Sequence, residues 1–319
     1  MAIVSVENLK MSYDKGRVKA LKGVTFDVEE GEIFGLIGPD GAGKTSLFRI
    51  LTTLLLADSG KAVVDGMDVV NDYKKIRRHI GYMPGRFSLY QDLTVEENLS
   101  FFATVFNTTI EENYHLVEDI YRQIEPFKKR KAGKLSGGMK QRVMIAIALV
   151  GSPSIVIADE PTTSLDVTIE AQILDVLKNL QKTLGTSIIL ITHDLGVIAK
   201  LCDRVLVMYG GKIVERGSVD EIFYDTAHPY TKGLMHSIAK LDTAKGHKLQ
   251  PIEGTPPDLF APPKGCPFAA RCEYCMEICK DMPPQTYELS KEHETCCWLQ
   301  HEYAPDTDMR RKVTEKGEV

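Results

Sequence analysis

Gly38-Pro39-Asp40-Gly41-Ala42-Gly43-Lys44-Thr45 fits the pattern G-x-x-x-x-G-K-[ST] at every position. Just before it, Glu32-Ile33-Phe34-Gly35-Leu36-Ile37 reads as a buried strand; just after it, a helix is expected from about Lys44 to Leu54. A strand, a glycine turn and a helix in that order make a phosphate cradle. Glycines let the backbone curl until several N–H groups point at phosphate oxygens, and the helix N-terminus adds its partial positive charge. Lys44 is then set to contact the β- and γ-phosphates and the Thr45 hydroxyl to ligate Mg²⁺. A glycine turn that merely starts a helix would need neither residue.

Further along, Ile155-Val156-Ile157-Ala158 and Ser187-Ile188-Ile189-Leu190-Ile191 are unbroken apolar runs. Such runs suit central parallel strands covered on both faces, and ligands in open α/β sheets sit at the carboxyl ends of those strands. The first run delivers two adjacent carboxylates. Asp159 is suited to help hold Mg²⁺, and Glu160 to orient or deprotonate an attacking water. Between the two motifs lies Leu135-Ser136-Gly137-Gly138-Met139-Lys140-Gln141. Ser136 can cap a helix, and Gly137 and Gly138 leave backbone N–H groups open at its start, a second anion site. Apolar positions at helical spacing across 94–126 (Val95, Leu99, Phe102, Val105) predict a helical subdomain, placed at about 85–150.

The 135–141 heptad resembles the signature of the ATP-binding cassette family, and its neighbours are similar to the same family's motifs. The resemblance covers nearly the whole chain. It implies an α/β fold: a P-loop, RecA-like ATPase core with a mixed sheet and a nested helical subdomain. By the same resemblance Tyr13 stacks on adenine, and Ser46 and the loop 38–45 bind ATP. Ser164-Leu165-Asp166 is the D-loop, with Asp166 at the nucleotide, and Thr192-His193-Asp194 carries the switch histidine. Lys44, Glu160 and His193 become the catalytic set. The family pairs two such domains head to tail, with ATP between the phosphate loop of one and the Ser136-Gly137-Gly138 equivalent of the other. Implied partners are transmembrane permease subunits, a second ATPase subunit of the same or another kind and, indirectly, a peptide-binding protein.

One position departs from the family pattern. Gly85, in Tyr82-Met83-Pro84-Gly85-Arg86-Phe87-Ser88-Leu89-Tyr90, stands where the family usually has a Gln that contacts Mg²⁺ and water; Gln91 follows six residues later. Glycine offers no side-chain oxygen, so weakened hydrolysis or coupling is expected. Permease contacts are expected near Phe87, Leu89 and Tyr90. The two halves also resemble different branches. Residues 1–134 look more like ATPases of drug- or lipid-exporting systems, whereas from Arg142 onward the chain resembles di- and oligopeptide importers. An exporter subunit, or a chimera of both types, is therefore the alternative to an import ATPase.

The chain has seven cysteines, six of them between Cys266 and Cys297. Clustered cysteines without a visible secretory signal favour metal or redox chemistry over disulfides. Cys266, Cys272 and Cys279, with Cys297 four positions after His293, resemble the peptide importers' C-terminal extension, where four such cysteines hold a four-iron four-sulfur cluster. Four thiolates also suit tetrahedral zinc, and the extra Cys275 and Cys296 are each able to substitute as a ligand. The expected division is an ATPase domain over 1–235, a cysteine-rich extension over 236–303 and a flexible tail over 304–319.

Composition limits the remaining classes. The 319 residues suggest roughly two domains, and 43% apolar with 26% charged residues is globular composition. Lys+Arg number 39 against 44 Asp+Glu, so the basic excess of a nucleic-acid binder is missing. No run reaches the ~18 apolar residues of a membrane span. The expected location is peripheral, on the cytoplasmic face of a membrane that a partner spans.

Overall fold

A computed structural model of the chain describes residues 1–163, 165–237, 252–258 and 260–311. The N-terminal part forms a long antiparallel ribbon of β1 (Ala2–Tyr13) and β2 (Val18–Glu29), then β3 (Ile33–Ile37), α1 (Lys44–Leu51), β4 (Ser59–Val64), β5 (Met67–Asp68), α2 (Tyr73–His79) and β6 (Ile80–Met83). Three helices follow: α3 (Val95–Val105), α4 (Tyr114–Ile124) and α5 (Gly137–Val150). The chain then alternates through β7 (Ile155–Asp159), α6 (Val167–Leu184), β8 (Ser187–Ile191) and α7 (Leu195–Leu201), a hairpin of β9 (Arg204–Tyr209) and β10 (Lys212–Ser218), α8 (Val219–Tyr224) and α9 (Pro229–His236). The C-terminal part adds α10 (Glu277–Asp281), β11 (Tyr287–Glu288) and β12 (Glu294–Thr295).

Two sheets result. The smaller runs β2-β1-β4-β5, all antiparallel. The larger runs β11-β12-β10-β9-β3-β8-β7-β6. Its centre, β9-β3-β8-β7-β6, is parallel, and its other edge is antiparallel. Every residue of β3 and β8 is buried, as are the first four of β7, because both faces of these strands are covered. The mixed sheet and the helical layer agree with the expected α/β architecture.

Helix α1 is the middle layer. Leu47, Phe48, Ile50 and Leu51 share one core with Val4 and Val6 of the small sheet and with Ile157, Ile189 and Leu206 of the large one. The helix is expected to reach Leu54, but it stops at Leu51, and Thr53 turns the chain with φ of 60°. On the opposite face, α5 is buried continuously from Val143 to Val150, so it carries no polar stripe. It packs with Leu99, Val117, Ile120 and Ile124 of α3 and α4. A reciprocal cap starts α3: the Glu97 amide donates to Thr94 Oγ1, and the Thr94 amide donates to the Glu97 carboxylate at 2.7 Å.

The C-terminal part continues the large sheet, with β12 pairing Glu215↔Thr295 and Arg216↔Glu294 on β10. Residues 304–311, expected to fray, pack back on the chain. Met309 is buried, Arg311 donates to Asp225 at 2.6 Å and Lys232 pairs with Asp308 at 2.6 Å. The remainder of the expected tail, 312–319, lies outside the described residues, as do Ser164 and the segment 238–251 at the start of the expected extension.

Candidate functional site

The carboxyl ends of β3, β8 and β7 lie side by side, so three separate segments of sequence meet at one sheet edge. After β3 the chain makes the glycine loop. Gly38 has φ of 152° and passes so close to β9 that a Cβ would lie 2.3 Å from the Met208 carbonyl oxygen. Gly43, φ 101°, is the N-cap of α1, and a Cβ there would meet the Ala20 carbonyl at 2.5 Å. Both positions need glycine. Lys44 opens the helix and folds its ammonium over its own loop, donating to the carbonyls of Gly38 at 2.6 Å and Pro39 at 3.0 Å. Burial pushes the Lys44 ammonium below the usual lysine range, while Asp40, Glu160 and Asp159 act in the opposite direction.

A cavity of about 230 Å³ lies over this loop, lined by Tyr13, Asp40 through Ser46, Asp159 and Glu160. Gly38 and Pro39 lie under it as partners of Lys44. The Tyr13 hydroxyl is 3.0 Å from Ser46 Oγ, which ties the ribbon to α1 at the cavity rim. Asp159 ends β7; burial first and Glu160 second push its carboxyl above the usual range, against Lys44 and Arg49. Glu160 has φ of 50°, uncommon outside glycine and asparagine. Its conformation is fixed from both ends. Its amide donates to the Ile191 carbonyl of β8 at 2.9 Å, and its carboxylate takes the Thr163 hydroxyl at 3.0 Å and faces His193 Nδ1 at 3.3 Å. Gly85 is the immediate neighbour of Asp159: a Cβ there would stand 3.2 Å from the Asp159 carbonyl oxygen. Gln91 is engaged elsewhere: its side-chain amide donates to the Leu89 carbonyl at 3.3 Å, and its backbone carbonyl accepts from the Gly133 amide.

Ser136 caps α5, accepting from the Met139 amide, and Gly137 and Gly138 form the first turn. They do not line the 230 Å³ cavity. Gly138 abuts Ile169 of α6 instead, with room for no Cβ, and Asp166 caps α6 through the Ile169 amide at 2.9 Å. Within one chain there are therefore two separate N–H-rich surfaces, one at the phosphate loop and one at Ser136. Sequence reasoning missed Val18, Ala20 and Ile191 as cavity walls and Thr163 as a partner of Glu160. The signal for Val18 lies in the ribbon register, which pairs it with Tyr13.

The four cysteines singled out also meet. Cys266, Cys272, Cys279 and Cys297 line one small buried cavity together with His228. Burial pushes the Cys266 thiol up to about 11 and that of Cys272 to about 12, and Cys297 rises for the same reason. Cys275 lies beside Cys279, whereas Cys296 turns away to the Thr286 hydroxyl. The fully buried His228 accepts the Tyr230 amide on Nδ1 at 3.1 Å, so Nε2 carries the ring proton, yet Nε2 has no partner. Number and kind of donor thus suit a metal centre. Among the described residues, however, no group of three or more His, Cys, Asp or Glu is arranged to hold a metal ion. Outside the site, Phe87 and Tyr90 are exposed, but Leu89, expected beside them as a contact residue, is buried in the core. Among the described residues no helix is long and apolar enough to cross a membrane.

Comparison with known proteins agrees with this architecture. Residues 21–163 match the ABC transporter family, and residues 214–279 match the oligopeptide/dipeptide transporter C-terminal region. The dipeptide transport ATP-binding protein DppD of Bacillus subtilis is 40% identical, covering 95% of this chain and 96% of its own. The oligopeptide transport ATP-binding protein OppD of Escherichia coli is 38% identical, with 89% of each chain covered. Both matches run through the N-terminal half as well as the C-terminal one, so they do not favour the exporter or chimera alternative. Among solved structures, CbiO1 of Clostridium perfringens, part of an ABC transporter complex, superposes with a TM-score of 0.63 at 32% identity, covering 70% of this chain and 92% of its own. A dimeric ATP-binding cassette in a post-hydrolysis state bound to ADP and Pi gives 0.61 at 30% identity, over 68% and 98%. With a relative matched over nearly its whole length and a phosphate loop, paired carboxylates and a capped signature helix in place, the chain belongs to the ABC transporter ATPases and carries their oligopeptide/dipeptide transporter C-terminal region.

Proposed function

We propose that this chain is the ATP-hydrolysing subunit that energises import of di- and oligopeptides through transmembrane permease partners. The observation that carries this reading is the peptide-transporter region itself, which begins within β10, the strand onto which the later β12 pairs. The relatives matched end to end are named for dipeptide and oligopeptide transport. We read 1–235 as the ATPase unit with its helical part at about 85–150, 236–303 as the extension, and the whole as peripheral to the cytoplasmic face of the membrane.

In this reading Lys44 and the amides of Gly41 to Thr45 bind the β- and γ-phosphates, and Tyr13 stacks on the base. Thr45 and Asp159 hold Mg²⁺, which neutralises phosphate charge when bound. Glu160 accepts the proton of the attacking water, and His193, bonded to Glu160, orients it. Ser136, Gly137 and Gly138 serve the nucleotide of a second ATPase subunit, because they lie away from this chain's own cavity. ATP that bridges two subunits favours the closed pair, and its hydrolysis removes that preference. The test is peptide uptake by membrane vesicles containing the cognate permeases. ATP-dependent uptake of short peptides that is lost with Glu160→Gln is expected; outward movement, or uptake indifferent to Glu160, would refute the reading.

For the extension, the favoured reading is a structural four-iron four-sulfur cluster on Cys266, Cys272, Cys279 and Cys297, with zinc as the alternative. Its support is the shared cavity of the four thiols and the unpartnered His228 Nε2–H lining it, a donor suited to cluster or thiolate sulfur. Anaerobic purification should give iron, labile sulfide and visible absorbance. Stoichiometric zinc without colour would move the assignment to zinc.

A further inference from the structure

A cavity of about 580 Å³ lies against the same ribbon that walls the nucleotide cavity. Adjacent strand residues divide between the two: Tyr13 and Ala20 line the nucleotide cavity, Ser12 and Lys19 the larger one. One ribbon thus borders both cavities. The larger cavity is closed on its far side by the C-terminal extension, through the Pro262–Lys264 segment.

Its charge is unlike that of the rest of the molecule. The chain is acidic, with a net charge of −5. Yet five lysines surround this cavity: Lys10, Lys19 and Lys22 on the ribbon, Lys212 at the start of β10 and Lys264 in the extension. Among the described residues the lysines that form ion pairs are others, Lys75, Lys200, Lys232 and Lys280. The one acid in the lining, Asp58, accepts the Ser12 hydroxyl at 2.5 Å. Lys22 is half-buried; its ammonium is pushed below the usual range by burial and then by Lys212 and Lys19. Clustered like charges oppose folding, and an anion bound among them reverses the sign of that interaction.

We propose that this cavity binds a multiply charged phosphate ligand of nucleotide size. The lysines supply flexible point charges suited to phosphate oxygens, Met11, Leu21 and three prolines (Pro262, Pro263 and Pro267) supply an apolar wall, and the volume falls in the range of small-molecule sites. The inference does not rest on the reading of the nucleotide cavity or of the cysteines.

The experiment uses the full chain with Lys44→Ala, which removes the phosphate lysine of the nucleotide cavity. Calorimetric titration with pyrophosphate should still reveal a site. Adding Lys22→Gln and Lys212→Gln together should weaken pyrophosphate at least tenfold, with an unchanged circular dichroism spectrum and a thermal midpoint that does not fall. ADP should bind this site at least as tightly as pyrophosphate, and citrate more weakly. Affinity unchanged within twofold in the lysine variant, or no binding at millimolar pyrophosphate, overturns the site. Citrate binding as tightly as pyrophosphate overturns the phosphate assignment, and exclusion of ADP overturns the nucleotide size.

Discussion

His193 Nδ1 stands 3.3 Å from Glu160 Oε1, although the two residues come from the ends of different strands. Between them the backbone already agrees, because the Glu160 amide donates to the carbonyl of Ile191, two residues before His193. Glu160 therefore takes its left-handed backbone under the control of β8, the strand that also carries the histidine. A carboxylate so held can act as a general base, a role worth ~10²–10⁴-fold in rate. Glu160→Gln should lower ATP turnover at least ~100-fold with ATP affinity retained, and His193→Ala should lower it less, since the base remains. Steady-state hydrolysis and equilibrium nucleotide binding check both; a Gln variant hydrolysing at the parent rate would remove Glu160 from the mechanism.

Asp159 carries a second consequence. Its folded carboxyl is raised by burial and by Glu160, so between the unfolded value and the folded one the native state binds more protons than the unfolded state. Stability then falls as pH rises through that window and stays lower above it. Asp159→Asn removes the charge, so it should raise the thermal midpoint of the nucleotide-free protein at pH 7 by roughly 2 °C while abolishing Mg²⁺-dependent hydrolysis. A scanning calorimetry trace at pH 7 with the variant melting below the parent would contradict the assignment.

The phosphate loop, both carboxylates and the switch histidine were legible in the sequence because each sits in one short segment bounded by an apolar run. What joins segments was not. Val18 and Ala20 enter the cavity wall only through the pairing of β1 with β2, and Thr163 meets Glu160 only because Glu160 turns left-handed. Adjacent Cys296 and Cys297 look interchangeable as letters, yet one bonds Thr286 and the other lines the cysteine cavity, because neighbouring side chains leave an extended chain in opposite directions. Leu89 reads as one more apolar residue beside two exposed aromatics, and only the tertiary fold buries it. The tail to Arg311 reads as polar and loose, but its charges have partners at Asp225, just past α8, and at Lys232 on α9.

Gly85 permits a direct test of the missing side-chain oxygen. The position adjoins Asp159, and a Cβ there would stand 3.2 Å from the Asp159 carbonyl, tight enough that the neighbour must give by a few tenths of an ångström. Gly85→Gln should therefore bring an amide to the carboxylates with a small loss of stability, about 1 kcal/mol. If the glycine is what limits hydrolysis or coupling, ATP turnover and peptide uptake both rise in the variant. Unchanged rates of both would show that the chain compensates for the glycine elsewhere.

Glu215 ties the ATPase sheet to the extension. It is fully buried, and its two oxygens accept the Ala227 amide at 2.6 Å, the His228 amide at 3.2 Å and His293 Nε2 at 2.9 Å. His293 belongs to the turn that leads into β12, so the carboxylate fastens that turn to β10 from below while Arg216 fastens it from above through Glu294. Removing one partner of such a buried charged network leaves donors unpaired, at a cost of about 3–5 kcal/mol. Glu215→Ala should lose stability of that size and open 282–303 to protease, whereas Glu294→Ala, at a pair still partly open to solvent, should cost about 1 kcal/mol. Urea unfolding with limited proteolysis separates the two, and equal effects would place the fastening outside Glu215.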